Sequence, residues 1–171
     1  MRKTLTVNKN PGSIGEMKTR TVLVTLAVCF AAGTVCFAAS DPQMGTWKLN
    51  EAKSKFAAGT AKNSKVVYKA AGDSVKVTVD GTDADGKPAH NVWTGKFDGK
   101  DYAITGDPSS DMRSYKKVDD RTLDLTVKKG GKVVTTGKIV VSADGKSRTI
   151  TTSGTNAKGK KFKSVAVYDK K

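Results

Sequence analysis

The stretch Ser74-Val75-Lys76-Val77-Thr78-Val79-Asp80-Gly81 alternates apolar and polar residues and ends in an Asp-Gly pair. Its valines share one face while Lys76 and Thr78 share the other, which is the period of a half-buried β-strand. Asp-Gly is a dipeptide favoured in tight hairpin turns. The stretch therefore predicts one strand of an antiparallel sheet that buries one face.

Similar runs fill the rest of the chain after Asp41-Pro42. The predicted strands are residues 45–50, 64–70, 74–80, 90–97, 101–105, 112–118, 122–128, 132–141, 147–153 and 161–169. Short glycine-containing turns join them, so consecutive strands are expected to be antiparallel neighbours. We expect an all-β fold, an up-and-down antiparallel β-barrel of about ten strands, because closure removes both sheet edges. A flattened sandwich is the alternative.

The apolar run of residues 22–39 follows Lys18 and Arg20 and ends in small residues. This order is typical of a secretory signal peptide. We predict that residues 1–38 are a signal peptide with an upstream extension and that residues 39–171 form one barrel domain. The mature protein is then expected in the periplasm of a bacterium or outside the cell, without any cysteine.

Two other interpretations of this run stay open. An uncleaved anchor is one, since about 18 residues is the lower limit for a membrane-spanning helix. Lipidation at Cys29 is less favoured, because the branched Val28 precedes it where bacterial lipoprotein signals usually have a small residue. Met17 is a better start for a signal peptide than Met1, since it directly precedes the positive residues.

The chain is strongly basic, with a formal net charge of +15. Such an excess is compatible with an anionic partner such as a polysaccharide, lipopolysaccharide or a membrane surface. Nucleic-acid sites favour arginine, and only three arginines follow residue 39, namely Arg113, Arg121 and Arg148. The lysines are spread over strands and turns, where they protect sheet edges. We expect a mainly solubilising surface and no nucleic-acid partner.

Residues that support catalysis or metal binding are scarce. His90 is the single histidine of the chain, and the zinc ligand sets that proteins use need three or four suitable side chains. Asp83 and Asp85 are similar to part of a calcium loop, but Gly81 occupies a ligand position and no glutamate ends the loop. We therefore expect no enzymatic activity, no cofactor and no metal, and we interpret the acidic loops as turns.

A small closed barrel has an interior that is either filled or just wide enough for one small molecule. Aromatic residues and two arginines fall on the predicted inward face. A buried arginine is costly unless it is paired, so it indicates an acidic head group on a ligand. The candidate ligand-binding residues are Trp93, Tyr102, Arg113, Tyr115, Arg148 and Tyr168.

We therefore expect an exported, monomeric, non-enzymatic protein that binds a small hydrophobic or amphipathic molecule inside the barrel. The alternative is a packed barrel whose basic surface docks on anionic polysaccharide, lipopolysaccharide or a protein partner. A cavity of several hundred cubic ångströms favours the first function, and a filled interior favours the second.

Gly45-Thr46-Trp47 is similar to the G-x-W signature of the lipocalin and fatty-acid-binding-protein superfamily. The chain also resembles the small secreted lipocalin-like domains of bacteria, through Trp47-Lys48-Leu49-Asn50, the glycine hairpin of residues 81–87 and Val167-Tyr168 near the end. The resemblance covers residues 44–171. It implies a barrel with Trp47 at its closed end and names no established substrate.

Two departures limit what the resemblance implies about the ligand. Fatty-acid-binding relatives have an Arg-x-Tyr pair on the last strand that holds a carboxylate, and here Ala166 stands at the arginine position while Tyr168 matches the tyrosine. Residues 51–63, with room for one or two helical turns, are too short for the lid helices of that branch. Fatty-acid transport is implied only loosely.

Overall fold

The computed structural model describes residues 41–156 and 159–171, so the predicted signal peptide lies outside the described residues. The elements are β1 Gly45–Leu49, a 3-10 turn at Glu51–Lys53, β2 Lys62–Ala71, β3 Ser74–Thr82, β4 Pro88–Gly95, β5 Tyr102–Thr105, β6 Met112–Lys117, β7 Thr122–Lys129, β8 Lys132–Val141, β9 Ser147–Thr155 and β10 Lys161–Lys170. No helix in this part of the chain has the length and apolarity needed to cross a membrane.

The ten strands form a closed antiparallel barrel in which each strand pairs with its neighbours in sequence. β1 closes the sheet by pairing with both β2 and β10. The barrel and its meander topology are therefore confirmed. The turn between β7 and β8 shows why the chain reverses sharply, since Gly130 and Gly131 both have positive φ, 54° and 76°, as a two-residue hairpin turn requires.

One end of the barrel, where β1 begins and β10 ends, is closed by side chains. Trp47 is fully buried there, and its indole Nε1 donates to the carbonyl oxygen of Gln43 at 2.8 Å. The buried Gln43 side chain in turn donates to the carbonyl oxygen of Arg121 at 3.1 Å. These contacts attach the chain before β1 to the turn before β7 and seal the closed end.

Aromatic rings fill the closed half of the barrel beside β2 to β6. Ring centroids of neighbouring members lie 4.8 to 6.5 Å apart, mostly edge to face, as aromatic pairs prefer. The members of this aromatic cluster are Tyr68, Trp93, Phe97, Tyr102 and Tyr115. The cluster leaves this half of the interior packed.

The opposite end is less completely filled. On β7 and β9, the inward Leu123 and Arg148 are buried near the closed end, whereas the inward Leu125 and Ile150 farther along are only half-buried. Small inward residues continue the same wall toward this open end: Thr135, Gly137, Thr152, Gly154 and Ser164. Solvent therefore reaches the interior from the open end.

The segment between β1 and β2 lies against the open end. It forms one 3-10 turn, whose Lys53 N–H is accepted by the Asn50 side chain at 3.2 Å. Beyond this turn, the Ala57 N–H donates to Oγ of the inward Ser164 at 3.0 Å. Phe56 packs against the core from this side. The segment thus places one aromatic ring at the mouth of the barrel.

Candidate ligand-binding interior

Arg148 lies inside the barrel at the closed end. It is the second residue of β9 and is paired in register with Tyr168 on β10 and Val141 on β8. Strand alternation directs it inward together with Ile150, and only 1% of it is exposed. Its guanidinium carbon lies 4.7 Å from the Trp47 ring centre, with two further rings near it: Tyr68 at 4.8 Å and Tyr168 at 5.0 Å.

The guanidinium has no hydrogen-bond acceptor among the described residues. Within residues 41–156 and 159–171, Nε, Nη1 and Nη2 of Arg148 have no hydrogen-bond partner, and the side chain forms no ion pair there. The three rings attract the cation through their π faces, but a buried charge without hydrogen bonds is costly. An anion that enters from the barrel interior would satisfy these donors.

The two tyrosines beside Arg148 do not supply a negative charge. Burial raises the pKa of Tyr168 to about 12, although the Arg148 charge opposes this shift. Burial also raises the pKa of Tyr68 above its usual range, and neighbouring Tyr115 adds to the rise. Both hydroxyls are therefore protonated at neutral pH. The Tyr168 hydroxyl donates to the carbonyl oxygen of Asn63 at 2.9 Å, so it is already used in holding β10 to β2.

Arg113 is a second buried arginine, 7% exposed, on β6. Its backbone carbonyl accepts the indole N–H of Trp93 at 2.8 Å, which fixes that ring inside the aromatic cluster. Its Nε has no partner among the described residues. Burial alone would raise the pKa of Asp107, but hydrogen bonds from Ser109 and Ser110, with help from the Arg113 charge, lower it instead. The Arg113 charge therefore acts on Asp107, although the two side chains form no ion pair in the described structure.

The six candidate residues fall into two groups inside the barrel. Trp93, Tyr102 and Tyr115 belong to the aromatic cluster with Arg113 beside them, whereas Arg148 and Tyr168 lie at the closed end. The structure adds Tyr68, which the sequence analysis did not select and which joins the groups: its ring centroid is 6.2 Å from that of Tyr115 and 4.8 Å from the Arg148 guanidinium. Tyr102 lies at the edge, where its hydroxyl donates to Asp98 at 3.0 Å.

Two recesses lie at the open end. One of about 570 Å³ separates the segment around Phe56 from the turn that follows β3, with Lys62 and Asp83 in its wall. The other, about 290 Å³, lies at the ends of β8 to β10 and is lined partly by the inward Thr135, Gly154 and Phe162. Both recesses lie at the mouth, whereas the aromatic cluster packs the part of the closed half beside β2 to β6.

The residues weighed for catalysis or metal binding lie elsewhere. His90 is exposed on the outer face of β4, with Nδ1 2.6 Å from Oδ1 of Asp80. Asp83 Oδ1 accepts the backbone N–H groups of Asp85 and Lys87, each at 2.9 Å, as expected for a turn. In the part of the chain that the structure describes, no three His, Cys, Asp or Glu residues are grouped as metal ligands.

Comparisons with known proteins show no family. No protein-family model matches the chain, and no curated protein matches it. Among solved structures, the chain is similar to a redesigned β-barrel, mFAP1, determined bound to DFHBI, with a TM-score of 0.43 and 16% sequence identity. That match covers 75% of this chain and 95% of the other. Membership of the lipocalin and fatty-acid-binding-protein superfamily therefore remains a prediction from the sequence.

Proposed function

We propose that this protein is an exported, non-enzymatic binding protein whose barrel holds a small amphipathic molecule, with the anionic group of that molecule on Arg148. The observation behind the proposal is the fully buried guanidinium without an acceptor in the described structure. A carboxylate or similar anion can accept two parallel N–H bonds from one guanidinium, which gives both affinity and orientation.

The remaining interior suits the apolar part of such a ligand. Leu125 and Ile150 present half-buried aliphatic surface between Arg148 and the open end. Gly137 on β8 is in register with both Leu125 and Thr152, and it adds no side chain to this wall. A ligand with its anion at the closed end would therefore extend its apolar chain toward Phe56 at the mouth.

The alternative function is a packed barrel that acts through its surface. The aromatic cluster supports it, because these rings fill the interior beside β2 to β6. The two functions differ in the role of Arg148. In a packed barrel, an unpaired guanidinium in the core lowers stability and binds nothing.

A matched pair of ligands tests the proposal. The purified barrel is titrated with a straight-chain carboxylic acid and with the alcohol of equal length, following the fluorescence of Trp47 and Trp93. We expect the acid to bind about tenfold more tightly or better, since hydrogen bonds to a charged group contribute about 1.5–3 kcal/mol.

Variants assign that preference to one residue. Arg148→Met is expected to bind acid and alcohol equally, while Arg121→Met, which changes an exposed arginine in the turn before β7, should keep the preference for the acid. Failure of both ligands to bind, or a preference for the acid that survives in Arg148→Met, would contradict the proposal.

A further inference from the structure

Four exposed lysines form two like-charged pairs on the outer face of β1 to β3. Lys48 is directly opposite Lys65 across β1 and β2, and Lys69 is directly opposite Lys76 across β2 and β3. All four are exposed. Side chains in such positions have Cβ atoms about 5 Å apart, and like charges there are destabilising. This face therefore holds an arrangement that folding alone does not favour.

Elsewhere on the barrel, some lysines lie opposite an aspartate. Asp124 on β7 is in register with Lys138 on β8, and their Oδ1 and Nζ atoms are 2.5 Å apart. None of the four lysines forms an ion pair with any residue that the structure describes. Asp169 on β10 is in register with Lys48, but its Oδ2 accepts a hydrogen bond from Asn50 Nδ2 at 2.8 Å. Asp80 is in register with Lys65, but its Oδ1 lies 2.6 Å from Nδ1 of His90 instead.

A row of β-branched residues separates the two lysine pairs. It crosses five strands in register, from Thr46 through Val67, Thr78 and Val92 to Thr105. Adjacent strands lie about 4.8 Å apart, so the row extends about 19 Å across the barrel. Lys65 and Lys69 flank Val67 on β2, about 13 Å from each other at about 3.3 Å per residue. We call the row and its four lysines the lysine-bordered strip.

We propose that the lysine-bordered strip binds a linear acidic polysaccharide. The carboxylates of the polysaccharide would pair with the lysines on the two borders of the strip. Its sugar rings would lie on the threonine hydroxyls and valine methyl groups between those borders. This site is separate from the barrel interior and does not depend on a ligand at Arg148.

The chemistry of the strip favours this partner over two other polyanions. Single-stranded nucleic acid is bound by aromatic stacking and arginine, and the strip has neither. A membrane surface is usually engaged by large exposed apolar groups. Among the described residues those groups are elsewhere on the barrel, at Met112, Val118, Val133 and Val140.

The test compares two variants with equal net charge. In the strip variant Lys48, Lys65, Lys69 and Lys76 are changed to Gln. In the control variant the same change is made at exposed lysines around β5 to β8: Lys100, Lys116, Lys129 and Lys132. The control includes another like-charged pair, Lys129 opposite Lys132. Binding to polygalacturonate, neutral pullulan and phosphatidylglycerol vesicles is measured at one low ionic strength.

We expect polygalacturonate binding without pullulan binding, a loss of about tenfold or more in the strip variant, and a loss below about threefold in the control. Equal losses in both variants would show a general charge effect and overturn the proposal, as would vesicle binding without polygalacturonate binding. If the fourfold variant does not fold, the two double variants, Lys48→Gln with Lys65→Gln and Lys69→Gln with Lys76→Gln, test the same borders separately.

Discussion

The guanidinium carbon of Arg148 lies 4.7 Å from the centre of the Trp47 ring at the closed end. The effect of Arg148 on stability depends on the balance between this cation–π contact and the cost of burying its charge. Each desolvated cation–π contact contributes about 2 kcal/mol, whereas the removal of an ion from water costs several kcal/mol. Methionine is uncharged and replaces the aliphatic part of the arginine side chain.

We therefore expect Arg148→Met to leave the free energy of unfolding of the ligand-free protein unchanged within about 1 kcal/mol, or to raise it. Urea denaturation of both proteins measures this. A decrease of more than about 3 kcal/mol would mean that the arginine stabilises the core, as in a compensated buried ion pair.

Tyr168 makes the stability of the barrel sensitive to alkali. Burial raises its pKa from 10.0 to about 12, so the folded protein keeps a proton that the unfolded chain loses first. Its stabilising contribution is complete below pH 10 and is lost as the pH rises toward 12. The difference corresponds to about 2–3 kcal/mol.

We expect Tyr168→Phe to lose less stability than the parent protein between pH 10 and pH 12, the interval that the pKa of Tyr168 spans. Chemical denaturation at a series of pH values measures both slopes. Identical slopes, or a tyrosinate absorbance titration in which all four tyrosines ionise near pH 10, would disprove the assignment.

The sequence was sufficient to place single residues on faces but not to assemble their surroundings. Alternation with Ile150 predicts that Arg148 points inward, as it does. The rings around it come from β1, β2 and β10, which only closure of the barrel brings together. Tyr68 could have been selected from its alternation with the inward Val66 on β2.

At the level of strands, Gly154 on β9 has no room for a side chain. A Cβ added there would lie 2.1 Å from the carbonyl oxygen of Val134 on β8. We expect Gly154→Ala to lower the free energy of unfolding by about 1–3 kcal/mol, since the two strands must separate locally. The control is Ser153→Ala on the adjacent, outward-facing position, expected to change it by less than about 0.5 kcal/mol. Equal effects in thermal denaturation would contradict the close approach.

Strand positions were predictable because each strand is bounded by turn residues. All ten predicted strands match the observed ones to within two residues at each end. The segment between β1 and β2 was harder, because its alanine and polar residues have no clear period. Its single 3-10 turn agrees with the prediction of one or two turns, but the position of Phe56 depends on the hydrogen bond between Ala57 and Ser164.

The whole barrel has a weak seam on both sides of β5. In register, β4 meets β5 through Val92–Thr105 and Trp93–Ile104, and β5 meets β6 through Tyr102–Arg113 and Ala103–Met112. By contrast, β9 and β10 pair along nearly their whole length. Amides with few cross-strand hydrogen bonds open most easily. We expect β5 to exchange its amide hydrogens faster than β9 and β10 in hydrogen-exchange mass spectrometry; the reverse order would refute the seam.

Closure of the molecule was predictable because ten short antiparallel strands otherwise leave two edges. The division of its interior into a packed half and an open half was not, because it depends on which side chains meet across the barrel. Trp93 stacks on Phe97 and Tyr115 meets Phe97 edge to face. On the opposite wall, Gly137 and Thr152 are small and leave space.

Native mass spectrometry of the protein, purified under mild conditions from the cells that produce it, detects a molecule bound at Arg148. We expect a complex heavier than the polypeptide by the mass of one small acidic molecule, which is lost on denaturation and absent from Arg148→Met. A polypeptide mass without any bound molecule, together with no binding of added acids, would exclude a ligand at Arg148 and favour a barrel that works through its surface.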